Sequence, residues 1–138
     1  MLVWLNGRCL HARDARLSVL DRGLLHGDGL YDTWRTYGGE PFAVAAHLRR
    51  LAAAARELRL PPPDPASVWT LRARRLVARN GLGDATIRLT ITRGTAGDLL
   101  VPDRAAPPTA FRPDKSDGAQ NVSAGDHRHN QDRVCAAR

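Results

Sequence analysis

Between Asp21 and Leu51 the chain passes through a glycine-hinged loop, a strand and an arginine-bearing helix, and that order limits the folds open to it. The loop is Asp21-Arg22-Gly23-Leu24-Leu25-His26-Gly27-Asp28-Gly29. From Gly29 to Tyr37 the β-branched and aromatic content predicts a strand. Side chains alternate across a strand, so Tyr31, Thr33, Arg35 and Tyr37 share one face, and Leu30, Asp32, Trp34 and Thr36 take the other. Gly38-Gly39 turns the chain back into Pro41-Phe42-Ala43-Val44, a second hairpin. From about Ala45 to Leu60, Leu48, Leu51, Ala52, Ala55 and Leu58 recur at helical spacing, and Pro61-Pro62-Pro63 ends that helix.

The remaining elements follow from the same periodicities. Asn6-Gly7 after Leu2-Val3-Trp4-Leu5 is a hairpin signal, because both positions tolerate positive φ, and the return strand runs from Arg8 to His11. Asp64-Pro65 offers an N-cap and first-turn pair for a second helix, whose mainly apolar face is Val68, Trp69, Leu71, Ala73, Leu76 and Val77 and which stops at Asn80-Gly81. Thr86-Ile87-Arg88-Leu89-Thr90-Ile91-Thr92 alternates as a strand with one buried face should. The expected class is therefore α/β, more closely α+β: a small domain with a mostly antiparallel sheet and two helices. Thr109-Ala110-Phe111 could open one more strand, so the domain is set at residues 1–111. Residues 112–138 hold few large apolar groups and cannot bury enough surface to offset the entropy of ordering them, so they read as a disordered tail.

A chain of 138 residues has room for about one domain. Its formal charge of +7 is spread over both halves rather than gathered into a basic arm, which argues against nucleic acid as a partner. Cys9 and Cys135 have no metal-type spacing and no disulfide framework around them, so no metal site is expected and a reducing cytoplasm fits. The apolar opening is interrupted at Asn6-Gly7, too soon for a signal peptide or membrane span.

Several spaced motifs then point the same way. Asn6-Gly7, Asp14-Ala15-Arg16-Leu17-Ser18-Val19 before Asp21-Arg22-Gly23, Gly27-Asp28-Gly29-Leu30-Tyr31-Asp32, and His47 with Arg50-Leu51 together resemble the N-terminal part of class IV aminotransferases. These fold-type IV pyridoxal-phosphate enzymes include branched-chain and D-amino-acid aminotransferases and aminodeoxychorismate lyases. The resemblance implies that Arg50 binds the cofactor phosphate, a task suited to a guanidinium, which presents a fixed fork of donors and keeps its charge. It implies that Tyr31 and Thr33 line the substrate side of the cofactor, and that His26 and Gly27-Asp28-Gly29 reach toward the neighbouring subunit of a homodimer. His47, one turn below Arg50, is either a support for it or a simple helix-start residue. Asp21-Arg22-Gly23 and Thr92-Arg93-Gly94 read as structural. Where D-amino-acid members carry an Arg-x-His pair for the substrate carboxylate, this chain has Asp98-Leu99-Leu100.

The family's reaction also needs a lysine that bonds to pyridoxal phosphate and moves the proton at the substrate α-carbon. The one lysine here, Lys115, follows Arg93 closely among polar turn formers, a setting that would not lower its pKa, so no catalytic residue is assigned. The expectation is an aminotransferase or aminodeoxychorismate-type lyase fragment, truncated or frame-shifted after Phe111, that binds cofactor weakly and is inactive alone. Its parent enzyme would act on an amino acid or an amino-chorismate. The alternative is a noncatalytic α/β binding or dimerisation module.

Overall fold

In the computed structural model, which describes residues 1–95 and 120–126, Asn6 and Gly7 take φ of 46° and 81°. They fold β1 (Leu2–Leu5) back onto β2 (Arg8–His11) with Leu5 opposite Arg8, the hairpin the dipeptide predicts. A short helix, α1 (Arg22–His26), precedes the long strand β3 (Gly29–Tyr37). Gly38 and Gly39, at φ of 56° and 86°, turn β3 into the two-residue β4 (Glu40–Pro41), shorter than the return strand the sequence suggests. Two long helices follow, α2 (Val44–Glu57) and α3 (Ala66–Arg79), and then β5 (Ala85–Thr92).

The strands form one antiparallel sheet in the order β2-β1-β6-β5-β3-β4, where β6 is Gln120–Asp126. β3 and β5 pair along their length, from Gly29 opposite Thr92 to Thr36 opposite Ala85. On one face α2 packs on β3, and α3 packs on β1, β4 and α2. The alternation read from the sequence holds: Asp32, Trp34 and Thr36 are buried under the helices, while Tyr31, Thr33, Arg35 and Tyr37 are exposed on the other face. Trp34, Leu48, Leu51, Trp69, Leu76, Val77, Ile87, Leu89 and Ile91 make the core. Each such side chain contributes on the order of 1.5–3 kcal/mol by leaving water.

Three local features differ from the sequence reading. α1 spans one turn, too short for any apolar period to reveal it, and exists because Asp21 caps it by accepting the Gly23 N–H at 2.8 Å. α3 starts after Pro65 without a side-chain cap, and Asp64 is paired instead with Arg72. α2 ends at Glu57, ahead of the prolines, because Arg59 adopts φ of 53° and lets the Leu60 N–H reach back to the Ala55 carbonyl at 2.8 Å.

The largest difference lies in the expected tail. Gln120–Asp126 form a strand between β1 and β5, with Trp4 and Leu89 both opposite Val122. Hydrophobic content does not decide such a strand: lying between two strand edges, its backbone finds partners on both sides whatever its side chains are. Residues 112–119 and 127–138, and the possible strand at Thr109-Ala110-Phe111, lie outside the described residues.

Candidate active site

Arg50 sits on α2, one turn after His47, on the side of the helix that meets β3. Its Nη2 donates to Asp32 Oδ1 at 2.6 Å, and the same oxygen accepts the Thr33 N–H at 2.7 Å. His47 Nδ1 lies 3.2 Å from that oxygen and 3.3 Å from Arg50 Nη2. A proton on Nδ1 is needed to face a carboxylate, so His47 donates to Asp32, and its approach to Arg50 is a packing contact. The imidazole is steadied by Trp34, whose ring centroid is 5.8 Å away.

Burial pushes the Asp32 carboxyl up, but the hydrogen bonds from Arg50, Thr33 and His47 outweigh it and hold the group below the ordinary carboxylate value. Asp32 is therefore an anion beneath a cation. Its second oxygen, Oδ2, is buried with no hydrogen-bond partner among the described residues. The Arg50 side chain remains 69% exposed and is held through one nitrogen, so most of its donor fork faces outward.

Tyr31 and Thr33 lie on the opposite face of β3 from Asp32 and hence from Arg50. The structure thus joins these residues through the strand backbone and not by side-chain contact: Asp32 stands between the two, and its carboxylate binds both Arg50 and the Thr33 amide. Across the sheet Arg88 is opposite Thr33, and its guanidinium stacks 3.9 Å from the Tyr31 ring centroid. A planar cation over an aromatic face gives this exposed surface a positive, partly apolar spot suited to an organic anion. His26 ends α1 and is exposed, apart from both groups.

The loop before β3 is fastened by the two motifs read as structural. Asp28 accepts from Arg22 Nε at 3.0 Å and from Arg93 Nε at 2.7 Å. Arg93 also donates to the Leu58 and Arg59 carbonyls at 2.7 and 3.1 Å, tying the C-terminal end of α2 to the same point. Burial raises the Asp28 carboxyl, yet the two arginines bring it to a net position below the ordinary value.

The sequence reading does not single out Asp32 and Arg88 as site residues, although signals for both are present. An acid alternating with Leu30 and Trp34 toward the helices requires a partner, and an arginine alternating with Ile87 and Leu89 must face away from them. Lys115 and Asp98-Leu99-Leu100 lie outside the described residues. Among the described residues no group of His, Cys, Asp and Glu could hold a metal ion, and no helix is long and apolar enough to cross a membrane.

Comparison with known proteins bears on this arrangement. Residues 29–132 match the family described as Amino-transferase class IV. The chain is 38% identical over 112 residues to a putative branched-chain-amino-acid aminotransferase of Methanocaldococcus jannaschii, a match that covers 80% of this chain and 38% of the relative. It is 31% identical over 112 residues to the aminodeoxychorismate lyase of Bacillus subtilis, covering 80% of this chain and 38% of that protein. The crystal structure of the branched-chain amino acid aminotransferase of Escherichia coli has the same fold, with a TM-score of 0.74 at 22% identity over 91% of this chain and 40% of that one. The chain thus spans about two fifths of the length of the proteins it matches.

Proposed function

The chain belongs to the class IV aminotransferase family, and we propose that it supplies the phosphate-binding arginine and part of the substrate face of a pyridoxal 5′-phosphate site in an aminotransferase or aminodeoxychorismate-type lyase. One observation carries this reading: Arg50, in the family-matched segment, is anchored through a single nitrogen to a buried carboxylate while the rest of its guanidinium is exposed. That donor set fits a phosphoryl group, which takes two parallel N–H bonds from a planar fork.

Pyridoxal phosphate, when bound, supplies the electron sink for chemistry at a substrate α-carbon. In this reading Arg50 holds its phosphate. Tyr31 packs its ring on the substrate and offers a hydroxyl, Thr33 borders the same space, and Arg88 adds positive charge for an amino acid or amino-chorismate carboxylate. His26, at the end of α1, reaches toward a second subunit. In the sequence leading up to it the apolar side chains Leu17, Val19, Leu20, Leu24 and Leu25 are exposed, and exposed apolar groups of that kind support a homodimer and, as the second reading, a noncatalytic dimerisation module. Lys115 does not take the catalytic role, so these 138 residues by themselves do not transaminate; the setting is cytoplasmic.

Equilibrium dialysis against pyridoxal phosphate tests the assignment. Arg50→Ala is expected to weaken binding at least about tenfold, the scale of a charge-assisted hydrogen bond lost to a phosphate. An Arg50→Ala chain that binds as well as the wild type rules the phosphate role out. Sedimentation velocity separates the homodimer from a monomer.

A further inference from the structure

Asp32 is a carboxylate on the apolar face of its strand. Leu30 and Trp34 flank it, and its side chain is only 7% exposed. Replacing a buried ion pair by packed apolar groups is often neutral or stabilising, so fold stability alone does not account for an acid here. Its Oδ1 gathers three donors, Arg50 Nη2 at 2.6 Å, the Thr33 N–H at 2.7 Å and His47 Nδ1 at 3.2 Å. Two of these donors are fixed, one by the β3 backbone and one by a ring packed on Trp34. The third belongs to a long side chain that is otherwise mostly exposed. The consequence falls on that third donor: the carboxylate pins one corner of the guanidinium to the sheet and leaves the other corner turned outward.

We propose that Asp32 is the positioning residue for the phosphate-binding arginine, holding the Arg50 fork in its binding orientation before any ligand arrives; this rests on the phosphate role proposed above for Arg50. Asp32 itself touches no ligand. Its effect is to remove the ordering entropy that a free arginine would lose on binding, the general route by which a preset group gains affinity. Because the same carboxylate accepts from Thr33, the orientation of Arg50 is also set relative to the strand that bears Tyr31 and Thr33.

The test compares pyridoxamine 5′-phosphate with pyridoxamine, which differ only in the phosphate, on the full chain. Wild type is expected to prefer the phosphorylated form, and Asp32→Asn to lose about tenfold of that preference, with Asp32→Glu recovering part of it by restoring the charge. A merely structural role would weaken both ligands equally, and that result, or an unchanged preference, overturns the proposal. Should Arg50→Ala keep the full preference, the underlying phosphate assignment fails instead. A measurement on the wild type alone gives an independent decision: without ligand, the Arg50 guanidinium ¹⁵N resonances should show slow rotation about the Nε–Cζ bond, and fast rotation there overturns the proposal even if Asp32→Asn does not fold.

Discussion

Thr92 Oγ1 donates a 2.9 Å hydrogen bond to Asp21 Oδ2 across 71 residues of sequence, and both groups are buried. The other oxygen of Asp21 caps α1 through Gly23, and the Arg22 N–H donates to the Gly94 carbonyl at 2.9 Å. The end of β5 and the start of the loop that leads into β3 are therefore one unit, and Asp28, gripped by Arg22 and Arg93, closes it from the other side.

Thr92→Val keeps the shape of the side chain but leaves a buried carboxylate oxygen of Asp21 short of its donor. Hydrogen bonds to charged groups are worth about 1.5–3 kcal/mol, so the unfolding free energy should fall by that much and the urea midpoint with it. An unchanged midpoint would show that Thr92 does not hold the loop.

Acid sensitivity follows from Asp28 and Asp32. In each, burial raises the carboxyl and the hydrogen bonds it accepts outweigh that, from Arg93 and Arg22 at Asp28 and from Arg50, Thr33 and His47 at Asp32, so the folded pKa lies below the ordinary value of 3.8. The unfolded chain then binds more protons near that value, so these groups stabilise the fold above it, and the contribution is lost as pH falls through the folded pKa. Urea midpoints of the wild type should decline from about pH 5 downward. Asp28→Asn should be less stable at pH 7 and show a shallower acid decline; an identical slope for the two proteins would remove Asp28 from the account.

Gly29 opens β3 against β5, and a Cβ there would meet the Ile91 carbonyl oxygen at 2.7 Å and the Thr92 Cα at 3.3 Å. Both are backbone atoms in a paired strand and cannot yield without disturbing the ladder. Gly29→Ala should cost about 1–3 kcal/mol by thermal or urea unfolding. Gly83→Ala, where a Cβ meets nothing within 4 Å, should stay within about 0.5 kcal/mol of wild type.

Truncation in the core beneath the helices should cost far more than truncation on the outer face of the sheet. Trp69 is fully buried, and Trp69→Ala should cost about 3–5 kcal/mol. Tyr31 is 61% exposed and stacks on Arg88, so Tyr31→Ala should cost no more than about 1 kcal/mol. A Tyr31→Ala loss as large as that of Trp69→Ala would mean that the outer face of β3 is part of the core.

Much of this arrangement was legible in the residues. The period-two pattern of Gly29–Tyr37 assigns Asp32 and Trp34 to one face and Tyr31 and Thr33 to the other, because strand geometry allows no other alternation. Asn6-Gly7 gave the first hairpin for the same local reason, the tolerance of positive φ. The site was less legible. Arg50 stands among Arg49 and Arg56 on one helix, with Arg59 just past its end, and nothing in helical spacing distinguishes the one whose guanidinium meets a buried acid 18 residues away.

Whatever depends on neighbours along the chain can be read from local residue order: the turns, the faces of β3 and β5, and the apolar stripes of α2 and α3. What depends on partners distant in sequence came with the packed fold. The fold paired Thr92 with Asp21, placed Asp32 beneath Arg50, and gave Gln120–Asp126 a position between β1 and β5. A hydrogen bond or a ladder position is satisfied by whatever group the fold brings within reach, and that reach is a property of the packed sheet and helices rather than of any local stretch.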